Sequence, residues 1–286
     1  MESIVKERVV KESVLNTVEL SWNEFLLFRQ WLYDEAGIQL ADAKQALVAG
    51  RLGKRLRVLE MGSYRQYFDY IRTATSGDQQ DERQTALDLL TTNETYFLRE
   101  NAHFDFLREK VLPAWRQRSL NCWSAASSSG EEAYTLAMLL AENHVGDWQI
   151  TGTDLSSRVV SQAQQGIYPM ARATNIPRPW LQKYCLKGVD DKSGTFRMAS
   201  AIRKRIHFRQ TNLQHAQRNI GPFDVIFLRN VMIYFDTASK KKVLGNVLER
   251  LKPDGFLLVG HAESLNGLSD RLRLVSPSIY KLSDAL

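Results

Sequence analysis

The chain has 286 residues, a formal net charge of +6 and 44% hydrophobic residues, enough for one large α/β domain and a small helical one. Two cysteines, Cys122 and Cys185, in no CxxC spacing exclude a disulfide framework and fit a reduced cytoplasmic protein. No apolar run approaches the roughly 20 residues of a bilayer span, the charged start MESIVKERVVKES lacks a secretory h-region, and five scattered histidines without HxxxH or HExxH spacing give no metal site.

Residues 1–20 have weak periodicity and read as a lead-in. Ser21 then caps a helix, Glu24 completes a capping box, and Trp22, Phe25, Phe28 and Leu32 recur on one face until Gly37 ends it. A second helix runs from Asp42 to about Leu59, with Leu52, Leu56 and Leu59 on one side. Tyr64–Thr73 and Asp81–Leu90 read as two more, separated by the polar stretch TATSGDQQD. Residues 21–90 are therefore expected to form a helical bundle, and residues 91–99 a linker.

From residue 100 onward the rhythm alternates. Cys122–Ala126, Gln149–Thr153, Phe223–Leu228 and Phe256–Gly260 read as strands. Glu131–Glu142, Ser156–Gln165 and Asp236–Leu251 read as helices between them. That alternation predicts a doubly wound, mostly parallel sheet. Leu272–Val275 and Ser278–Leu282 flank a Pro-Ser turn and predict an antiparallel hairpin at the sheet edge. Residues 172–209 interrupt the pattern with short pieces rich in turn residues, which suggests a small β insertion.

Charge is distributed unevenly. Residues 1–90 hold 12 Lys+Arg against 14 Asp+Glu, whereas residues 172–209 hold ten Lys+Arg against two Asp. So local a charge suits a docking site for a small acidic group better than a general polyanion surface. The window Lys44–Arg57 has five basic residues and no acidic one, with Lys44, Arg51 and Arg55 on one side at helical spacing. Most such faces are only solvated; the alternative is a surface for an acidic helix.

Ligands of open α/β sheets bind at the carboxyl ends of the strands. The loop Ser124-Ala125-Ala126-Ser127-Ser128-Ser129-Gly130 is not GxGxxG, but its small residues allow close backbone approach; a merely flexible serine loop is the equal alternative. Glu131 and Glu132 follow at a helix start, disfavouring phosphate and favouring a sulfonium or ammonium group. Asp154, 24 residues after Gly130, ends the next strand, where an acid either binds ribose hydroxyls or caps the following helix. Arg229-Asn230 and Tyr234 follow the FDVIFL strand and face the same crevice, or else form a structural turn with a half-buried tyrosine. Together these features suggest a cationic nucleoside ligand.

The runs WSAASSSGEEAYT, TNETYFLRE, RNVMIYFD and LKPDGFLLVGHAES, in that spacing, resemble the chemotaxis receptor methyltransferase (CheR) family, from about Ser21 to Leu282. The resemblance implies a class I S-adenosylmethionine-dependent methyltransferase with a helical N-terminal domain and an inserted β-subdomain. It implies methyl transfer to glutamate side chains of chemoreceptor cytoplasmic helices. By motif match, Asn93, Thr95, Arg99, Glu132, Asp154, Asn212, Leu213, Arg229 and Asn230 would contact S-adenosylmethionine, with Arg99 and Tyr234 nearest the reacting groups. Receptor recognition would fall on Lys44, Arg51 and Arg55. Lys187, Gly188, Gly194 and Arg197 would correspond to a loop that holds a receptor's C-terminal peptide, although Asp190, where tether-binding members tend to have glycine, would repel a peptide carboxylate. The expected protein is a cytoplasmic monomer that neither binds nucleic acid nor inserts into membranes. A nucleic-acid methyltransferase is the rival reading, against which no Pro-Pro-aromatic run follows Asn230. A non-catalytic cofactor-binding scaffold is the other, against which the motif residues are intact.

Overall fold

A computed structural model describes residues 18–74 and 76–283; most of the 1–20 lead-in lies outside them. The helical domain contains α1 (Trp22–Ala36), α2 (Gln45–Val58), α3 (Tyr64–Arg72) and α4 (Gly77–Leu90). The capping box forms, with the Glu24 amide donating to Ser21 Oγ and the Ser21 amide to Glu24, and Gly37 closes α1 at φ 70°. Phe25, Phe28, Leu32, Leu52, Leu56 and Tyr67 fill a core of their own. Helix α4 starts four residues before the expected Asp81, so the polar stretch TATSGDQQD is partly helical.

The larger domain runs α5 (Ala102–Phe106), a π-helical turn (Leu107–Val111), β1 (Leu120–Ala125), α6 (Glu131–Asn143), β2 (Trp148–Asp154), α7 (Ser157–Gln165), β3 (Ile167–Pro169), α8 (Arg178–Tyr184), β4 (Cys185–Lys187), β5 (Thr195–Met198), α9 (Ser200–Arg203), β6 (Ile206–Gln210), β7 (Phe223–Leu228), α10 (Thr237–Leu248), β8 (Leu251–Val259), β9 (Leu272–Ser276) and β10 (Ile279–Leu282). The main sheet has the order β6-β2-β1-β7-β8-β10-β9. Strands β6, β2, β1, β7 and β8 are parallel, and β10 runs antiparallel to both its neighbours.

Alternate side chains of β7 feed two cores. Val225 and Phe227 face α6, whereas Ile226 and Leu228 face α10, as a strand covered on both sides requires. The chain order steps outward from β1 through β2 to β6, then returns to β7 on the other side of β1. This reversal places a crevice at the carboxyl ends of β1 and β7.

Two further sequence expectations change. The inserted sheet, order β3-β5-β4, spans residues 167–198, whereas 206–210 joins the main sheet as β6. The insertion is thus shifted from the expected 172–209, because β6 is a short edge strand with two basic residues and lacks the apolar run of a central one. The segment before β1 also forms a helical arm, whose Phe104, Leu107 and Val111 enter the main core. Its π turn breaks the 3.6-residue rhythm that would have announced it.

Candidate active site

The two domains meet through named bonds. Ile38 bridges Phe235, the Gln39 amide donates to the Tyr234 carbonyl at 2.9 Å, and Tyr33 Oη donates to Asp236 at 2.9 Å. Asp88 on α4 accepts from the Ser157 and Arg158 amides at 3.0 and 3.1 Å, and so caps α7 from the neighbouring domain. Gly37 leaves no room for a Cβ, which would run into the Gln214 amide. Between the domains, above the ends of β1, β2 and β7, lies a cavity of 330 Å³.

All ten residues expected at the cofactor and reacting groups line this cavity: Asn93, Thr95, Arg99, Glu132, Asp154, Asn212, Leu213, Arg229, Asn230 and Tyr234. Their side chains play different parts. Asp154 is buried at the end of β2, and its carboxylate accepts from the Ser128 amide at 2.8 Å and the Ser156 amide at 3.0 Å. Burial outweighs these bonds and raises its pKa above the ordinary aspartate value. Asp154 thus fixes the loop after β1, while Ser156, not Asp154, caps α7 through the Val159 amide.

Of the two glutamates at the start of α6, only Glu132 lines the cavity. Glu131 is fully buried and bonds Ser129 Oγ at 2.7 Å and Arg172 at 3.0 Å. Desolvation raises its pKa. Glu132 accepts from Ser124 Oγ at 2.6 Å and from Arg229 Nε at 2.7 Å. The expected pair of waiting anions is therefore one carboxylate with a cationic partner.

Arg229 is a buried hub. Beyond Glu132 it donates to the Arg99 carbonyl at 2.8 Å and to His103 Nδ1 at 2.9 Å, and its guanidinium lies 5.4 Å from the Phe104 and Phe227 rings. It joins the linker, the arm, β7 and α6 at one point. His103 spends both ring nitrogens, because Nε2 bonds Ser278 Oγ at 2.8 Å. Burial and the adjacent Arg229 and His261 lower its pKa to about 3, so it stays neutral. Glu100, His103 and His261 come together despite their scattered sequence positions. With the His103 lone pair accepting from a guanidinium, this cluster is built as a hydrogen-bond network and not as a cation cage. Burial acts to raise the Glu100 carboxyl, but the Asn230 amide, Arg229 and the His261 backbone N–H together bring it below the ordinary value.

Asn230 takes a left-handed φ of 56° after β7. Its amide and those of Met232 and Ile233 converge on Glu263, which also accepts from the Gly260 amide. Glu263 thus folds the turn that carries Tyr234. A Cβ on Gly260 would stand 2.7 Å from Glu263 Oε2 and 2.8 Å from Asn230 Nδ2, so only glycine fits there. Glu263 was visible only as part of GHAES; an acid in the loop after an apolar strand was its one signal. Leu98, Glu100, Ala126 and Ser128 share the left-handed conformation with Asn230. Ala126, Ser128 and Asn230 line the cavity and Leu98 and Glu100 flank its Arg99, so this site is one where packing over-determines the backbone.

The linker is pinned at alternate positions. Phe97 is buried against Tyr168 at 5.1 Å, and the Asn93 carbonyl accepts from Ser128 Oγ at 2.8 Å. Asn212 donates to the Glu35 carbonyl at 2.6 Å, a tie between the domains, so it reaches the cavity mainly as a wall. The basic face of α2 divides. Arg51 donates to the Leu89 and Thr91 carbonyls at 2.9 and 3.0 Å, and Arg55 makes a two-pronged pair with buried Glu82 at 2.8 and 2.6 Å. Both arginines thus hold protein partners while staying partly exposed on the side they share with Lys44. Helical spacing shows which residues share a side and not what that side meets. Lys44 is exposed and lines the cavity mouth, and Lys54 and Arg57 are exposed further along α2.

In the inserted sheet, Lys187 and Arg197 are exposed, the Gly188 amide donates to the Thr195 carbonyl, and Gly194 turns at φ 79°. Asp190 keeps φ 49°, the conformation glycine prefers, and Asp191 pairs with Lys192 at 3.3 Å.

The donor set fits S-adenosylmethionine. Asp154 keeps unused acceptor lone pairs, the Ala126–Ser128 backbone approaches the cavity, and Ser127 Oγ is buried beside it without a partner among the described residues. A parallel sheet whose last strand, β10, runs antiparallel between β8 and β9, with this cavity over its carboxyl ends, defines a class I S-adenosylmethionine-dependent methyltransferase.

The particular family follows from comparison. The model of the CheR methyltransferase S-adenosylmethionine-binding domain matches residues 93–280, and that of the CheR all-alpha domain matches residues 23–91. Chemotaxis protein methyltransferase 2 of Pseudomonas aeruginosa is 36% identical over 263 residues, covering 90% of this chain and 92% of that protein. The chemotaxis protein methyltransferase of Escherichia coli is 37% identical over 270 residues, 92% of each chain. The chain belongs to the CheR methyltransferase family, and its cofactor is S-adenosylmethionine. No described helix is long and apolar enough to cross a membrane.

Proposed function

We propose that this methyltransferase esterifies glutamate side chains on the cytoplasmic helices of chemoreceptors, acting as a monomer in the cytoplasm. The observation that carries the reading is the convergence of Asn93–Arg99, Glu132, Asp154, Asn212-Leu213 and Arg229–Tyr234 on one cavity at the domain seam. S-adenosylmethionine, when bound, supplies an activated methyl group on a sulfonium. A glutamate with a pKa of about 4.3 is already the anionic nucleophile at pH 7, so no general base is needed. Alignment is what the protein contributes, worth up to about 7–11 kcal/mol in favourable cases.

Arg99 and Tyr234 hold the acceptor carboxylate in this reading. Arg99 is itself steadied by the Glu94 carbonyl at 2.7 Å and the Tyr96 ring at 5.6 Å, which leaves its charge shared and not fully spent on the nucleophile. Lys44 at the mouth draws the carboxylate inward. The hairpin of Lys187, Gly188, Gly194 and Arg197 would serve a receptor's C-terminal peptide by raising local substrate concentration, without adding chemistry.

The test combines calorimetry with S-adenosylhomocysteine and transfer of labelled methyl groups to a chemoreceptor cytoplasmic fragment. Base-labile label is expected in the fragment. Tyr234→Phe and Arg99→Ala should each lower turnover at saturating cofactor by about ten- to a hundredfold while the product still binds. Wild-type turnover in both variants would remove them from the reacting centre; label in nucleic acid, or binding without turnover on any receptor, would overturn the function.

A further inference from the structure

One turn of the insertion, Met170–Ala173, carries Arg172 across to the linker that joins the two domains. A single guanidinium nitrogen, Nη1, donates both to the Thr95 carbonyl at 2.8 Å and to Glu131 at 3.0 Å. We infer that Arg172 is a positioning residue for methyl transfer: it straps the linker at Thr95 to the first residue of α6, and so sets where the Arg99 guanidinium stands. The inference rests on the proposed role of Arg99 at the acceptor carboxylate.

Arg99 takes its place from the peptides just before it. Its guanidinium is braced on the Glu94 carbonyl at 2.7 Å, and the next carbonyl along the chain is the one that Arg172 holds. A shift of these two peptides therefore moves the brace. The anchor at the far end of the strap is firm. Glu131 is fully buried, and its other carboxylate oxygen accepts from Ser129 Oγ at 2.7 Å. A carboxylate so desolvated keeps its cationic partner, because leaving it alone is costly.

The linker on the far side of Thr95 is tied by other groups. Phe97 is buried against Tyr168 and Phe196 at 5.1 and 5.9 Å, the Leu98 amide donates to Thr135 Oγ1 at 3.1 Å, and the Arg99 carbonyl accepts from Arg229. Those ties fix the backbone at residues 97–99. The brace itself lies between Ser128 Oγ on the Asn93 carbonyl and Arg172 on the Thr95 carbonyl. Thr95 lines the cavity and Arg172 stands outside it, so any effect of Arg172 on the acceptor passes through the linker. A misplacement of about 1 Å in an aligning group can lower a rate by about a hundredfold.

The test is a double-mutant cycle on the full chain. Initial rates of ester formation on a chemoreceptor cytoplasmic fragment are measured with S-adenosylhomocysteine affinity and a thermal melt for each variant. Arg172→Met keeps the stem and removes the donor; it should lower kcat about five- to tenfold, with receptor KM and product affinity within about twofold. In an Arg99→Ala background the same substitution should lower kcat by less than about twofold, because residues that act through one position do not add. Arg172→Gln, which keeps a donor, replaces the methionine variant if that one melts early, and should lower kcat about threefold. Lys183→Met breaks another ionic tie of the insertion to α6, with Glu142 at 2.8 Å and away from the linker. It should leave kcat within about twofold of wild type. Equal losses from Arg172→Met and Lys183→Met would mean that docking of the whole insertion matters, and would overturn the strap. Full additivity with Arg99→Ala, or wild-type kcat in both Arg172 variants, would overturn it as well. If Arg99→Ala itself keeps wild-type turnover, the assignment of Arg99 falls and takes the positioning role with it; a large loss in Arg99→Ala beside none in Arg172→Met removes Arg172 alone.

Discussion

The two walls of the cofactor cavity are built on opposite principles. The sheet wall, made by Glu132, Asp154 and Arg229, is buried and its polar groups already hold protein partners. The seam wall, made by Lys44, Thr95, Arg99 and Tyr234, is partly exposed and lightly bonded. Groups whose hydrogen bonds are committed set shape, and groups left open meet the changing charge of a reaction. A residue can therefore line a site without being free to bind in it.

Breaking the sheet wall should have the largest effect. Arg229→Ala leaves Glu132 as a buried unpaired charge and frees the Arg99 carbonyl. Removing one partner of such a pair costs about 3–5 kcal/mol, so a denaturant titration should show that loss together with lost S-adenosylhomocysteine binding. Full stability in the variant would show that the hub is dispensable.

His103 offers a smaller and pH-dependent break. Its folded pKa of about 3 lies far below the free value, so the unfolded chain takes up a proton first as pH falls. Stability is fully present above about pH 6.5 and declines toward the folded pKa. This residue alone should remove about 2 kcal/mol between pH 7 and pH 5. His103→Gln, which can still accept from Arg229 and donate to Ser278, should flatten that decline. An unchanged acid limb in urea melts at the two pH values would refute the assignment.

On the seam side the effects should be smallest and kinetic. Lys44→Ala should raise receptor KM about two- to threefold with no change in the melt, whereas Arg51→Ala, which uncaps the end of α4, should cost about 1–2 kcal/mol and leave KM alone. The reverse pattern would place Arg51 on the recognition surface.

Most of this architecture was legible in residue order. Ser21 and Glu24 announced α1, FDVIFL announced a strand buried on both faces, and four spaced motifs announced the family. What escaped depends on contacts between residues distant in sequence. Nothing local says that Arg51 reaches carbonyls of α4 or that Arg55 meets Glu82, since periodicity fixes direction on a helix and not the neighbour. His103 and His261, 158 residues apart by their numbers, join only because the arm before β1 folds across the ends of β7 and β8. Glu263 looked like one acid among many, and its role exists only once four backbone N–H groups point at it.

The cap that Asp88 places on α7 bears on how separable the two domains are. A chain shortened to begin at Thr91 would retain every described strand and both inserted and main sheets. It would nevertheless expose the first turn of α7, at a cost of about 1 kcal/mol, next to the loop that Asp154 organises. The helical domain thus belongs to the catalytic fold as a structural subunit fused in sequence, and a graft that exchanged it for a different receptor-reading module would have to bring its own carboxylate to that position.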